Sequence, residues 1–235
     1  MSGFDFKQFH VCQDNCAMKV GTDGVLLGAW ADVSGVKEVV DVGCGTGLIA
    51  LMIAQRCPQA HITAIDIDER AAGQAALNVA ASRWSDRIDV VHADYLHGYS
   101  SLSSADLVIC NPPFFARSLR PPDSHRATAR HDDSLPISRL LSAAAKQLSP
   151  GGRVALVVPY DRLDEVITEA NFAKLRHHRI SVVKTTAMKP PRRVLIELKN
   201  DASHTSNPIT EEYCIHDADG RYSEWYRNLT HDFYL

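Results

Sequence analysis

The chain has no run of about 18 uninterrupted apolar residues, the length a helix needs to cross a bilayer, so no membrane span is expected. Its opening, Met1-Ser2-Gly3-Phe4-Asp5-Phe6-Lys7, lacks the basic-then-apolar layout of a secretory leader, and the expected location is the cytoplasm. The six cysteines (Cys12, Cys16, Cys44, Cys57, Cys110 and Cys214) include no C-x-x-C pair, so neither a zinc site nor a disulfide framework is expected. They read as small apolar residues, and no metal is called for. There is no internal repeat, no low-complexity tract and no appended RNA-binding module of known pattern.

What is present is an ordinary globular composition, 45% hydrophobic and 23% charged over 235 residues, enough for one large α/β core. The net charge of −3 hides an uneven distribution. Phe115 to Lys199 holds 16 Lys+Arg against 8 Asp+Glu, a net of +8, and the remainder holds 9 against 20, a net of −11. A basic segment in an acidic chain is a candidate polyanion-facing surface.

Along the chain, strand and helix patterns alternate. Short apolar runs at Lys37 to Val42, His61 to Ile67, Ile88 to His92, Ala105 to Cys110 and Arg153 to Val158 predict buried strands. Helical patterns cover Leu48 to Gln55, Glu69 to Ala81, Ser138 to Leu148 (closed by Pro150-Gly151-Gly152) and Leu163 to Ala173. Ile180 to Thr186 and Val194 to Lys199 read as two further strands, close enough to pair antiparallel at the sheet edge. Such alternation predicts a parallel sheet with helices on both faces.

The first strand runs into Asp41-Val42-Gly43-Cys44-Gly45-Thr46-Gly47, then a helix. Glycines there let a ligand meet bare backbone at a helix N-terminus. Gly45-Thr46-Gly47-Leu48-Ile49-Ala50 also fits the dinucleotide pattern G-x-G-x-x-A, and Asp66 ends the second strand where a ribose-binding acid belongs. A nicotinamide cofactor is therefore possible from this segment. Against it stands Asp41, whose charge would repel a pyrophosphate but suits a sulfonium and an amino group. The D-x-G-x-G-x-G form resembles the first motif of class I methyltransferases. That resemblance implies that Asp66, with Ile67 beside it, holds the cofactor ribose, and that Asp94, with Tyr95 beside it, meets the cofactor adenine. A turn or helix N-cap residue is the alternative reading of Asp94.

The fourth strand ends in Asn111-Pro112-Pro113-Phe114. Consecutive prolines fix the backbone and remove two N–H donors, leaving carbonyls and an amide side chain as acceptors. That suits an amino-group substrate. The lone pair of an exocyclic adenine amine is delocalised into the ring; acceptors on its N–H groups favour charge building on nitrogen and aim it. Phe114 can stack on the base, which must be unpaired or flipped. The string resembles the N-P-P-[YF] motif of amino-group methyltransferases, which act on adenine or cytosine in nucleic acids or on a release-factor glutamine.

The two ends narrow this. Phe6-Lys7-Gln8-Phe9, the run Cys16-Ala17-Met18-Lys19-Val20-Gly21-Thr22-Asp23-Gly24-Val25-Leu26-Leu27-Gly28-Ala29-Trp30, and the ending Asp232-Phe233-Tyr234-Leu235 resemble the bacterial tRNA1(Val) adenine-N6 methyltransferases over nearly the whole chain. The resemblance implies S-adenosylmethionine as cofactor and N6 of adenine 37 in tRNA1(Val) as target. It also implies that Lys19, Gly21, Thr22 and Asp23 line the methionine end of the cofactor, where Asp23 suits an ammonium and Lys19 a carboxylate. Thr22-Asp23-Gly24 also reads as a helix start ahead of Val25. Phe114 stands where the family more often has Tyr, which keeps the stacking and loses a hydroxyl.

Arg117, Arg126 and Arg130 follow Phe114 in a polar loop with Arg120, His125 and His131, and Arg192 and Arg193 form a second basic string. Both could grip phosphates around an extruded base, while solvated surface explains each arginine singly. Tyr222, Trp225 and Tyr226 either help the RNA or pack on the sheet. The expected architecture is a class I methyltransferase (Rossmann-like) fold with a seven-stranded mixed sheet, one domain over residues 1–235. Residues 1–36 contribute to the cofactor site, 37–199 form the catalytic core and 200–235 are a C-terminal addition. Other classes stay open: the same chemistry on ribosomal RNA, DNA or a release-factor glutamine, a nicotinamide oxidoreductase, or a non-catalytic RNA-binding protein.

Overall fold

Valine- and isoleucine-rich runs bounded by turns form the strands that the alternation predicts. The computed structural model describes residues 3–14, 19–97, 104–113, 135–200 and 208–235. A hairpin of β1 (Gly3–Asp5) and β2 (His10–Cys12) precedes α1 (Thr22–Trp30). Then come β3 (Glu38–Val42), α2 (Leu48–Arg56), β4 (His61–Asp66), α3 (Glu69–Ala80), β5 (Ile88–His92) and β6 (Ala105–Cys110). The second half holds α4 (Ile137–Gln147), β7 (Leu148–Pro159), α5 (Leu163–Phe172), β8 (Arg176–Lys184), β9 (Pro191–Lys199), β10 (Ile209–Cys214) and α6 (Glu224–Thr230).

The large sheet runs β10-β8-β9-β7-β6-β3-β4-β5. β7, β6, β3, β4 and β5 are mutually parallel, and β9 is antiparallel to both β7 and β8. All seven expected strands are there, and an eighth, β10, lies parallel to β8 at the edge. The sequence hides it because Ile209, Thr210, Glu211 and Glu212 are all exposed and show no apolar alternation. β7 also begins earlier than expected. It takes in Pro150-Gly151-Gly152, with an irregularity of register opposite Ala105 to Leu107, so that string bulges a strand as well as ending a helix.

Period-two alternation sends each strand's side chains into two cores. Val39 of β3, Leu107 and Ile109 of β6, Ala155 and Val157 of β7 and Leu195 of β9 meet α1 and α2 on one face. Val40, Val42, Val108, Val154, Leu156 and Ile196 meet α4 and α5 on the other. Two arginines secure helix ends on the first face by donating to orphan carbonyls. Arg56 reaches Gly28 and Ala31 (2.9 and 2.8 Å), and Arg87 reaches Ala54, Cys57 and Ala60 (2.9–3.0 Å). The chain's two ends pack together on this face. The Lys7 amide donates to the Phe233 carbonyl, Phe6 stacks on Phe9 and Tyr234, and Phe233 is buried. Trp225 stacks on Tyr213 and Tyr226 is buried, so these aromatics pack within the fold; Tyr222 remains exposed.

Candidate cofactor and active site

The parallel strands β3, β4, β5 and β6 deliver their carboxyl ends to one rim, where a cavity of about 510 Å³ opens. Strand-end clefts of an open α/β sheet are where such folds bind ligands. Gly43, Gly45 and Gly47 have φ of +69°, +56° and +79°, the left-handed region that favours glycine. The turn is pinned by the Gly43 and Cys44 amides donating to the Ile65 carbonyl (2.8 and 3.0 Å) and by Gly47 donating to Cys44 (2.8 Å). Gly43 and Gly45 line the cavity, and a Cβ on either would meet no atom of the protein. The open space beside them is therefore room for a ligand. Gly47 does not line it. It caps α2, and a Cβ there would lie 3.3 Å from Ala75 Cβ.

Asp41 is set back from the rim, its expected place, and lies beneath the start of α2. It shares the α2 face with Val39, is fully buried, and is absent from the cavity wall. Its Oδ2 accepts from the Ala50 amide at 3.1 Å, and its Oδ1 has no hydrogen-bond partner. Burial pushes its carboxyl up to about 7, with the Ala50 bond opposing and the Asp66 charge adding to the rise. Asp66 does line the cavity. Its Oδ2 accepts from the Gly45 amide (2.8 Å) and its Oδ1 from the Asp68 amide (2.9 Å), so the carboxylate is fixed in orientation. Each oxygen retains acceptor capacity for a hydroxyl.

Ile67, Asp94 and Tyr95 continue the wall. Asp94 accepts from the Leu96 amide at 2.8 Å and pairs with His97. Partial burial raises its carboxyl, but the His97 and Leu96 hydrogen bonds and the His97 and Arg139 charges outweigh that and hold it low. It serves both as a turn residue and as a cavity residue. Tyr95 is buried and donates its hydroxyl to Gln147 (2.8 Å), so the hydroxyl is already engaged.

Lys19, Gly21, Thr22 and Asp23 line the opposite end. Gly21 is the extended N-cap of α1, which begins at Thr22, ahead of the expected Val25. A Cβ on Gly24 would lie 3.2 Å from Leu48 and 4.0 Å from Asn111 Nδ2, which sets α1 against the end of β6. Asn111 and Pro113 line the cavity; Pro112 is buried and does not. Phe114, Arg117, Arg126 and Arg130 lie outside the described residues. Arg192 is exposed, whereas Arg193 lines the cavity, its Nε donating to Asp23 Oδ2 at 2.6 Å.

Two features escaped the sequence. Thr46, Asp68 and Ala71 belong to the wall. Asn78, buried in α3, donates to the carbonyls of Cys12 and Thr46 and accepts from the Cys12 amide, each at 2.9 Å. A polar residue on the stripe that carries Ala71, Ala75 and Val79 is the one available signal, since a buried amide needs partners.

Residues 21–179 match the family model described as the methyltransferase small domain. The chain is 48% identical over 233 residues to a tRNA1(Val) (adenine(37)-N6)-methyltransferase of Bacteroides thetaiotaomicron, covering 99% of this chain and 97% of that protein. It is 45% identical over 235 residues to one of Aeromonas hydrophila, covering 100% and 98%. Among solved structures it is similar to a predicted O-methyltransferase from Agrobacterium tumefaciens, with a TM-score of 0.66, 18% identity and coverage of 90% and 96%. A putative class I S-adenosylmethionine-dependent methyltransferase from Listeria monocytogenes gives a TM-score of 0.55 at 14% identity, covering 80% and 62%. These last two likenesses speak to the fold, which is that of class I methyltransferases.

Proposed function

Because the chain belongs to the tRNA1(Val) (adenine(37)-N6)-methyltransferase family, we propose that it methylates the exocyclic N6 of adenine 37 in tRNA1(Val), with S-adenosylmethionine as cofactor. The observation that carries this is one cavity joining the glycine turn and Asp66 to Asn111 and Pro113. The residues fit the cofactor. The open space beside Gly43 and Gly45 admits a nucleoside against backbone, and the fixed Asp66 carboxylate suits vicinal ribose hydroxyls. Ile67, Asp94 and Tyr95 would flank its adenine, and Lys19 and Asp23 its amino-acid end. Bound there, S-adenosylmethionine supplies a methyl group made electrophilic by a sulfonium.

The chain's part is to aim the nucleophile. The Asn111 side-chain oxygen and the Pro112 carbonyl accept from the adenine N–H groups, favouring charge on nitrogen as the new bond forms. No strong base is required, since the alkylated nitrogen sheds its proton readily. Phe114 would stack on the flipped base. A nicotinamide cofactor leaves Asn111-Pro112-Pro113 without a task. The net +8 of residues 115–199 supports a polyanion partner, and Arg117, Arg126, Arg130 and Arg192 would hold phosphates of the anticodon region. The hydrogen bonds tying the N-terminal hairpin to the C-terminal tail support reading residues 1–235 as one domain. No helix among the described residues is long and apolar enough to cross a membrane.

The test is methyl transfer from labelled S-adenosylmethionine to total tRNA from a strain lacking this protein, followed by digestion to nucleosides. Label should appear in N6-methyladenosine, and Asn111→Ala should slow its appearance on the order of 100-fold or more. Absence of label in tRNA while the cofactor still binds would redirect the search to ribosomal RNA, DNA and release factors.

A further inference from the structure

The cavity contains an ion pair whose place in the reaction is not fixed by family membership. Arg193 lies on β9 with the same parity as Leu195 and Glu197, so its side chain emerges on the face that α1 covers. There its Nε donates to Asp23 Oδ2 at 2.6 Å. The Arg193 and Asp23 side chains are 36% and 33% exposed, and both line the cavity. A pair this open to water adds little to stability, which leaves its charges available to a ligand.

Position decides which part of a ligand would reach it. Asp23 precedes Gly24, which abuts Asn111, whereas Asp66 and Asp94 follow β4 and β5. In the sheet, β7, β6 and β3 intervene between β9 and β4, a separation of roughly 19 Å at the usual strand spacing. Arg193 is thus at the far end of the cavity from the nucleoside-binding acids. An α-amino acid head group carries an ammonium and a carboxylate a few ångströms apart. Asp23 and Arg193 present the opposite charges side by side; with Nε on Asp23 and Nη1 on the Arg192 carbonyl (3.0 Å), the remaining N–H donors of the guanidinium can meet a carboxylate.

We infer that Arg193 is a cofactor-binding residue: with Asp23 it forms a dipolar clamp in which Asp23 takes the ammonium and Arg193 the carboxylate of the cofactor's amino-acid end. Lys19, on the same wall, adds a second cation to the carboxylate side. The assignment rests on S-adenosylmethionine being the cofactor. It takes Arg193 out of the phosphate-gripping set in which its basic neighbour Arg192 remains.

The experiment compares two ligands by titration calorimetry on the full chain. S-adenosylhomocysteine carries the amino-acid end, and 5′-methylthioadenosine lacks it while keeping the nucleoside and sulfur. Arg193→Ala should weaken S-adenosylhomocysteine roughly tenfold or more, leave 5′-methylthioadenosine within about twofold, and be partly rescued by Arg193→Lys. Equal weakening of both ligands would mean a structural role and overturn the clamp. So would unchanged binding of both accompanied by a loss of tRNA affinity, which would return Arg193 to the RNA side. A parent chain that binds neither ligand would remove the cofactor reading and the clamp together, an outcome distinct from the other two.

Discussion

Asp41 and Asp66 lie on the same face of neighbouring parallel strands, and two residues of strand length separate their work: Asp41 is level with Ala64 inside β3, and Asp66 stands at the carboxyl end of β4. Asp66 turns its carboxylate to the cavity; Asp41 turns its own under α2, where burial lifts its carboxyl to about 7. In the unfolded chain that group titrates near 3.8. Between those values the folded state holds a proton that the unfolded state has released, so raising the pH costs stability across that window and no further above it. Asp41→Asn keeps an acceptor for the Ala50 amide and has no charge to bury. Its melting temperature relative to the parent should therefore rise from pH 5 to pH 8 and level off beyond; a difference flat with pH would show that Asp41 is not raised. Sequence put both acids at the site because each sits at a fixed distance from the glycine turn. That distance does not say how far along the strand the cover of α2 reaches, and Asp41, two positions short of Asp66, lies beneath it. Arg193 shows the same limit: its basic neighbourhood was visible, but the helix on its side of the sheet was not.

Among elements, the three turn glycines divide between ligand and packing. Gly43→Ala would set a methyl into cavity space, so its loss should fall on cofactor affinity as well as on the strain of a positive φ. Gly47→Ala meets Ala75 at 3.3 Å and must push α2 away from α3. It should cost about 1–2 kcal/mol from the backbone alone and more from the displaced helix, read as a lowered midpoint in denaturant melts. If Gly47→Ala melts with the parent, the packing account of that glycine is wrong. The central strands and helices were legible because burial on both faces leaves unbroken apolar runs and helix faces leave a 3.6-residue period. β10 was not. In the sheet it has one neighbour, β8, and it is held by backbone pairing, a Lys184–Glu212 ion pair (2.6 Å) and the stacking of Tyr213 on Trp225 of α6, none of which leaves an apolar pattern in Thr210-Glu211-Glu212.

At the scale of the whole molecule, the parts that sequence read as additions are fastened to the core by contacts of very long range. Lys7 Nζ donates to the His231 carbonyl across 224 positions, and Gln55 donates to that of Asp232. No local pattern encodes such partners; only a resemblance spanning both ends hinted that they belong together. The hairpin is fastened inward as well, through the one Asn78 amide that grips Cys12 on one side and Thr46 of the glycine turn on the other. The Cys12 backbone proton is consequently trapped by the same side chain that steadies the ligand-facing turn. A nucleoside that quiets that turn should slow deuterium uptake at Cys12, a residue outside the cavity wall, and Asn78→Ala should abolish the slowing. Unaltered uptake at Cys12 on saturation with S-adenosylhomocysteine would mean the clasp is too slack to carry the signal. A single amide proton, read by mass or by magnetic resonance, thereby becomes an outside gauge of whether the chamber is filled.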